Sequence, residues 1–322
     1  MIISLVLNYQ FLPVMLRLSK AFTAVIMEYK TPMALVNRVV ETRCSRGKAK
    51  RLLMMLQKYA GDGTQFISLY RINLVGENML RMLALVDKCK FLQELDLSHT
   101  GLTCMSVKLL VRAFQKLVKI HTLTLDDNRI KGRGLLTLAQ ASGACVNIKK
   151  LELEGNPVFY EIDVDMSCLT FNITNLDLSK TGFTNECMQV LVVQQKKAKE
   201  NSRVVLTELR ISENELTWEG GRYAADLMML GELQHLDICE NKIGCAGAAS
   251  IAMALETSRI KGLRMASNGM GLYGALALAH GFKKSTTVFS VYLVGNEFSE
   301  EGTQALEAAR QEHKTMRYLD LY

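Results

Sequence analysis

Apolar residues along this chain recur in one frame, L-x-x-L-x-L-x-x-N-x-L, whose places are numbered here 1 to 11. Ile120, Leu123, Leu125, Asn128 and Ile130 fill positions 1, 4, 6, 9 and 11. The same five slots return over Ile148–Val158, Leu206–Leu216, Leu233–Ile243, Ile260–Met270 and Val288–Phe298, with Asn156, Asn214, Asn241, Asn268 and Asn296 at position 9. Three looser copies complete the series. Leu92, Leu95, Leu97 and Leu102 carry Thr100 in the Asn slot, and Ile173, Leu176, Leu178 and Phe183 carry Thr181. Leu69, Ile72, Leu74 and Met79 read as a further copy with Glu77 in that slot, and Met316, Leu319 and Leu321 open a tenth. Sixth positions then fall 23, 28, 28, 25, 33, 27, 27, 28 and 28 residues apart.

A repeat of this length predicts more than a strand. Val107, Leu110, Val111, Phe114 and Leu117 keep helical spacing after the turn, as do Ala248, Ile251, Ala252 and Leu255. Each unit therefore reads as strand, turn and α-helix, and no unit buries its apolar face without neighbours. The expected fold is an α/β solenoid, a horseshoe of about ten repeats with a parallel concave sheet and outer helices, over residues 66–322. Ten strands at about 4.8 Å give a face roughly 45 Å long. The Asn side chain, with one acceptor and two donors, suits turn backbone groups that would otherwise be buried unpaired. The long spacing comes from residues 194–203, read as a helix extension and an exposed loop. Residues 1–65 read as a mainly helical N-terminal cap, with helices around Arg17–Met27 and Lys48–Tyr59.

These residues resemble the ribonuclease-inhibitor-like leucine-rich-repeat family across residues 66–322. Within it, Leu153-Glu154-Gly155-Asn156-Pro157, and Leu176-Asp177-Leu178-Ser179-Lys180-Thr181 followed by the long unit, are similar to the repeat domain of CARMIL, the actin-capping-protein regulators. That resemblance implies a cytoskeletal protein-binding scaffold. It also implies a membrane-binding domain upstream and a capping-protein-binding segment downstream. Residues 1–65 are short for the first, and the second does not follow Tyr322. RanGAP uses such repeats too, with an acidic C-terminal tail that this sequence lacks.

Alternate side chains of a strand face opposite ways, so positions 3, 5 and 7 look out from the concave face. They include Glu94, Asp96, Asp126, Glu152, Glu154, Asp177, Glu208 and Asp237, opposed between repeats two and seven by Lys150 and Arg210. An acidic strip of this kind would steer a basic protein partner. Farther along, Tyr292, Tyr318 and Tyr322 offer rigid aromatic anchors. The final strand has no turn or helix after it, which predicts packing of Tyr318–Tyr322 against another chain.

Charge changes the picture at one place. The net +7 lies wholly in residues 1–65, with ten Lys/Arg against three acids, while the remainder holds 29 of each sign. Arg38, Arg43, Arg46, Lys48, Lys50, Arg51 and Lys58 form a basic patch that would contact phosphates, though no aromatic residues interleave it. The bland alternative is a helix with Leu52, Leu53 and Leu56 inward and its bases in water. Eight scattered cysteines, none in a C-x-x-C pair, read as reduced thiols of a cytoplasmic or cytoskeletal protein. A mitochondrial presequence would open at Met15–Lys20 if translation began there. No 20-residue apolar run suggests a membrane span.

Catalytic and phosphate-binding signatures such as G-x-x-x-x-G-K-[ST], G-x-S-x-G and H-E-x-x-H do not occur. His235, Asp237 and Cys239 share one outward row but stand about 7 Å apart per step. No cofactor or metal is expected, and the chain reads as a non-enzymatic interaction scaffold within a larger assembly. Two other classes stand beside it. One is a regulator of an enzyme, such as a GTPase activator or a nuclease inhibitor; the other is a nucleic-acid-associated subunit acting through the basic patch.

Overall fold

The computed structural model describes residues 46–114, 116–144, 147–160 and 172–322. The chain divides into two compact units, Met1–Asn156 and Pro157–Tyr322. The first contains helix α1 (Arg46–Tyr59), β1 (Phe66–Ser68), α2 (Glu77–Val86), β2 (Glu94–Asp96), α3 (Cys104–Phe114), β3 (Thr122–Thr124), α4 (Gly132–Ala144) and β4 (Lys150–Glu152). The second contains β5 (Asn175–Asp177), α5 (Asn185–Glu200), β6 (Glu208–Arg210), α6 (Trp218–Met229), β7 (His235–Asp237), α7 (Gly244–Ala254), β8 (Gly262–Arg264), α8 (Gly271–Lys284), β9 (Ser290–Tyr292), α9 (Glu300–Glu312) and β10 (Tyr318–Asp320). Within each unit, consecutive strands pair in parallel, β1 to β4 in one and β5 to β10 in the other. This is the leucine-rich-repeat architecture, with strands on one side and helices on the other.

Every strand is three residues long and occupies positions 3 to 5 of the repeat. Position 4 (Leu95, Leu123, Leu151, Leu176, Leu209, Leu236, Leu263, Val291) and position 6 turn inward and are buried. Leu319 and Leu321, at positions 4 and 6 of the last repeat, are half-buried. Position 9 is also internal. The Asn241 amide donates to the carbonyls of Ile211 in the preceding repeat (3.1 Å) and Ile238 in its own (3.0 Å), and its oxygen accepts from Leu216 N–H at 3.0 Å. Asn128, Asn214 and Asn268 bridge neighbouring repeats in the same way. Thr100 and Thr181 keep only half of this scheme. Each hydroxyl donates to the carbonyl of its own repeat, Leu97 or Leu178, at 2.6 Å.

The first repeat corrects the frame read from sequence. Strand β1 pairs Ile67 with Leu95, so Ile67 holds position 4, Leu69 position 6, Ile72 position 9 and Leu74 position 11. The frame anchored on Leu69 as position 1 lies five residues late, because Leu69-x-x-Ile72-x-Leu74 reproduces the 1-4-6 spacing by coincidence. In the true frame the first interval is 28 residues, like its neighbours. Backbone geometry supports this independently. In the repeats of β1 to β9, position 8 takes a left-handed conformation. It is held by Gly155 and Gly295 and also by Arg71, His99, Asp127, Lys180, Glu213, Glu240 and Ser267, whose φ runs from 50° to 60°. That residue reverses the chain just ahead of the buried position 9.

Helices of the second unit approach one another closely through small residues. A Cβ on Gly281 of α8 would stand 2.5 Å from the Ala252 carbonyl of α7, and one on Gly221 of α6 would stand 2.8 Å from Gly247 Cα. The long interval is a helix extension, as expected: α5 runs to Glu200 and ends at Asn201. Buried Gln195 on α5 then accepts the Leu206 N–H at 2.8 Å, which ties the returning chain to the helix. Helix α1 buries Ala49, Leu52, Leu53 and Leu56 and packs beside α2. The predicted helix at Arg17–Met27 and the remainder of residues 1–45 lie outside the described residues. Among the described residues, no helix is long and apolar enough to cross a membrane.

Candidate binding site on the open sheet face

Positions 3, 5 and 7 look away from the helices, and the structure shows what the acidic residues there do. Asp96, Asp177 and Asp237 sit at position 5, and each accepts the backbone N–H two residues on, from Ser98, Ser179 and Cys239 (2.9 to 3.1 Å). The same carboxylates take hydroxyls from the side. Ser68 and Ser98 donate to Asp96, and Ser212 donates to Asp237, at 2.6 to 2.7 Å. Asp126 accepts the Glu154 N–H at 2.9 Å. Glu152 accepts from Thr124 and pairs with Lys150, both at 2.7 Å. Glu208 accepts from Asn175 and pairs with Arg210, both at 2.6 Å. The predicted strip is therefore an internally bonded ladder that ties adjacent strands together. Its charge still differs between units. Glu94, Asp96, Asp126, Glu152 and Glu154 face Lys150 in the first. In the second, Asp177, Glu208 and Asp237 meet Arg210 and Arg264.

Arg264 is the partner that sequence counting missed. It lies one repeat beyond the acids but reaches back, its Nε 2.8 Å from Asp237 Oδ2, and its guanidinium covers the Tyr292 ring at 4.6 Å from the centroid. Asp237, Arg264 and Tyr292 thus form a row across β7, β8 and β9 at position 5. At position 3 of the same strands stand His235, Gly262 and Ser290. Gly262 lets the His235 ring lie against its backbone, since a Cβ there would lie 2.6 Å from His235 Nδ1. The Tyr318 ring on β10 packs edge-on to Phe289, centroids 5.5 Å apart, and remains mostly exposed. Together, residues of β6 to β10 line a groove of about 480 Å³, with Arg310 of α9 and Arg317 at one end. Four of the predicted site residues line this groove, Glu208, Asp237, Tyr292 and Tyr318, while Tyr322 is outside its lining.

Cys239 does not form a nucleophile with His235 and Asp237. It is buried, its sulfur accepts the Ala266 N–H at 3.3 Å, and burial, with the Asp237 charge second, pushes the thiol up to about 12. A thiol so raised stays protonated and inert at neutral pH. Among the described residues, no three His, Cys, Asp or Glu side chains group as a metal site.

Where it is described, the basic patch lies on helix α1. Lys50, Arg51 and Lys58 lie on the exposed side of α1, and Arg46 and Lys48 belong to its first turn. Lys50 pairs with Glu77 of α2 at 3.5 Å. Arg81 first, then Lys50, hold the Glu77 carboxyl below the usual carboxylate range. Arg38 and Arg43 lie outside the described residues.

Comparison with protein families finds no match, and none is found among curated proteins. Among solved structures, the chain is similar to an internalin from Listeria monocytogenes, at 14% identity and a TM-score of 0.47, over 83% of this chain and 69% of that one. It is also similar to TLR13 in a complex with ssRNA13, at 15% identity and a TM-score of 0.46, over 81% of this chain and 40% of that one.

Proposed function

We propose that the chain is a non-enzymatic protein-interaction scaffold that holds a protein partner in the groove on β6 to β10. The observation that carries this reading is the groove itself, a volume of about 480 Å³ on the open sheet face, with Tyr292 and Tyr318 on its wall and His235 and Gly262 in its lining. Tyrosines held by neighbours bury area with little loss of side-chain entropy, which suits them as anchors. Arg264 and Phe289 hold these two. The anionic face of the first unit adds steering of basic segments of the partner, an effect on encounter rate more than on affinity. Residues 1–65 serve as the N-terminal cap of the repeats at 66–322. A helix in the repeat supports the ribonuclease-inhibitor-like subtype, and a cytoskeletal, CARMIL-like assembly in the cytoplasm is the setting that this subtype suggests.

Photo-crosslinking tests the site. Benzoylphenylalanine at Tyr292 should crosslink the partner, and the same group at Tyr273, exposed on helix α8, should not. Gly262→Leu, which displaces the His235 ring and adds a bulky side chain to the groove lining, should abolish the Tyr292 crosslink. A partner captured equally from Tyr273, or one indifferent to Gly262→Leu, would overturn the proposal.

A further inference from the structure

We infer that the groove takes an extended acidic segment of the partner, whose carboxylates lie at Arg310 and Arg317; this rests on the reading of the groove as the partner site. Four arginines line it: Arg210, Arg264, Arg310 and Arg317. The first two are committed, Arg210 to Glu208 and Asp177, and Arg264 to Asp237 and the Tyr292 ring. Arg310 and Arg317 come from different elements, the last turn of α9 and the residue before β10, yet reach the same end of the groove. Both are exposed, and neither forms an ion pair among the described residues. The carboxylate at that end, Asp320, is likewise outside any ion pair among them. Once the paired charges cancel, two positive groups face one negative group there.

A guanidinium offers a planar fork of donors that a carboxylate meets with two parallel bonds. The Tyr318 ring, which lines the same groove, supplies an apolar wall and a phenolic donor. The five strands span four gaps of about 4.8 Å, roughly 19 Å, which matches about six residues of extended chain. A nucleic-acid strand suits the site less well. It would bring a phosphate every few ångströms past Glu208, Asp237 and Asp320, which line the same groove.

A random linear-peptide display library selected on the full chain tests the inference. Enriched peptides should be rich in Asp and Glu. Their affinity should fall about tenfold or more in the Arg310→Glu/Arg317→Glu double variant, and it should be lost with Gly262→Leu. Both arginines are exposed, so thermal melting should show the double variant folded. Peptides that need Tyr292 and are lost with Gly262→Leu but carry no acids, or acidic peptides that bind the double variant equally, would overturn the acidic-segment inference and leave the groove standing. Failure to enrich any peptide, or enrichment indifferent to Gly262→Leu and Tyr292→Ala, would overturn the groove reading itself. Arginine-dependent binding of a single-stranded RNA oligonucleotide with no acidic peptide enriched would overturn the inference in favour of nucleic acid.

Discussion

Replacing Asn241 with alanine removes one side chain and breaks bonds in two repeats at once. The Leu216 N–H loses its acceptor, and the carbonyls of Ile211 and Ile238 each lose one of two side-chain donors, because Asn214 also serves Ile211 and Asn268 also serves Ile238. A buried N–H left unpaired costs about 2 kcal/mol, and each net bond lost from a carbonyl that keeps a second partner costs about 1 kcal/mol. The expected destabilisation is therefore about 4 kcal/mol, large beside the 5–15 kcal/mol of a typical domain. Threonine should cost less. Thr100 shows the compensation available: its hydroxyl bonds to Leu97 O, and its own carbonyl accepts the N–H of Leu74 in the repeat before it, at 3.0 Å. Asn241→Thr should thus cost about half as much as Asn241→Ala. Urea denaturation followed by circular dichroism measures both. Because the lost bonds couple neighbouring repeats, the alanine variant should also broaden the transition. Hydrogen exchange gives the local readout, in which the Leu216 amide loses protection. An alanine variant within about 1 kcal/mol of the parent, with Leu216 still protected, would refute the assignment of position 9 as the bridge between repeats.

Two further outcomes follow from the backbone and from one histidine. Glu240 is exposed at φ 53° with no side-chain partner among the described residues; glycine there relieves roughly 1–2 kcal/mol of left-handed strain against roughly 0.5–1 kcal/mol of extra chain entropy, so Glu240→Gly should raise the denaturation midpoint slightly, and a lower midpoint would contradict the strain argument. His313 accepts N–H bonds from Met316 (3.0 Å) and Thr315 (3.2 Å) at Nδ1, and burial lowers its pKa from the ordinary 6.5. The folded chain therefore holds it neutral, and stability present above pH 6.5 should fall as pH drops toward its folded-state pKa. Denaturation midpoints at about pH 7.5 and about pH 5, compared with His313→Asn, read this contribution, and an unchanged pH dependence in that variant would exclude it.

The parts of this molecule legible in sequence are those that repeat. Leucines at positions 4 and 6 and asparagines at position 9 meet the same surroundings in each unit, so the pattern exposes them. Leu52, Leu53 and Leu56 were readable as the buried side of α1 for the same reason, since their spacing matches one helix face. Position 8 was not readable. Its left-handed geometry is imposed by the turn, and Arg71, His99, Lys180 and Glu240 share no composition that would betray it. Thr64 at position 1 and Ile72 in the Asn slot concealed the first repeat while Leu69-x-x-Ile72-x-Leu74 imitated another.

The candidate site shows the harder limit, because a strip counted by charge and a strip resolved by partners are different objects. Position-5 aspartates looked like a binding surface, yet Asp96, Asp177 and Asp237 each hold a backbone N–H of their own turn. The Asp-x-Ser pair at Asp96 and Asp177 is the local mark of that turn, and it argues for a structural role wherever it recurs. The groove needed contacts that no repeat register supplies: Arg264 reaching back to Asp237, and Arg310 reaching from a helix to the sheet face. A charged residue committed to its own fold has already given up part of its solvation to that partner, and a ligand must compete for it. An arginine facing a groove without such a commitment has its donors in water, ready for exchange. On this ground Arg310 and Arg317 rank above the more numerous acids as contacts for a partner.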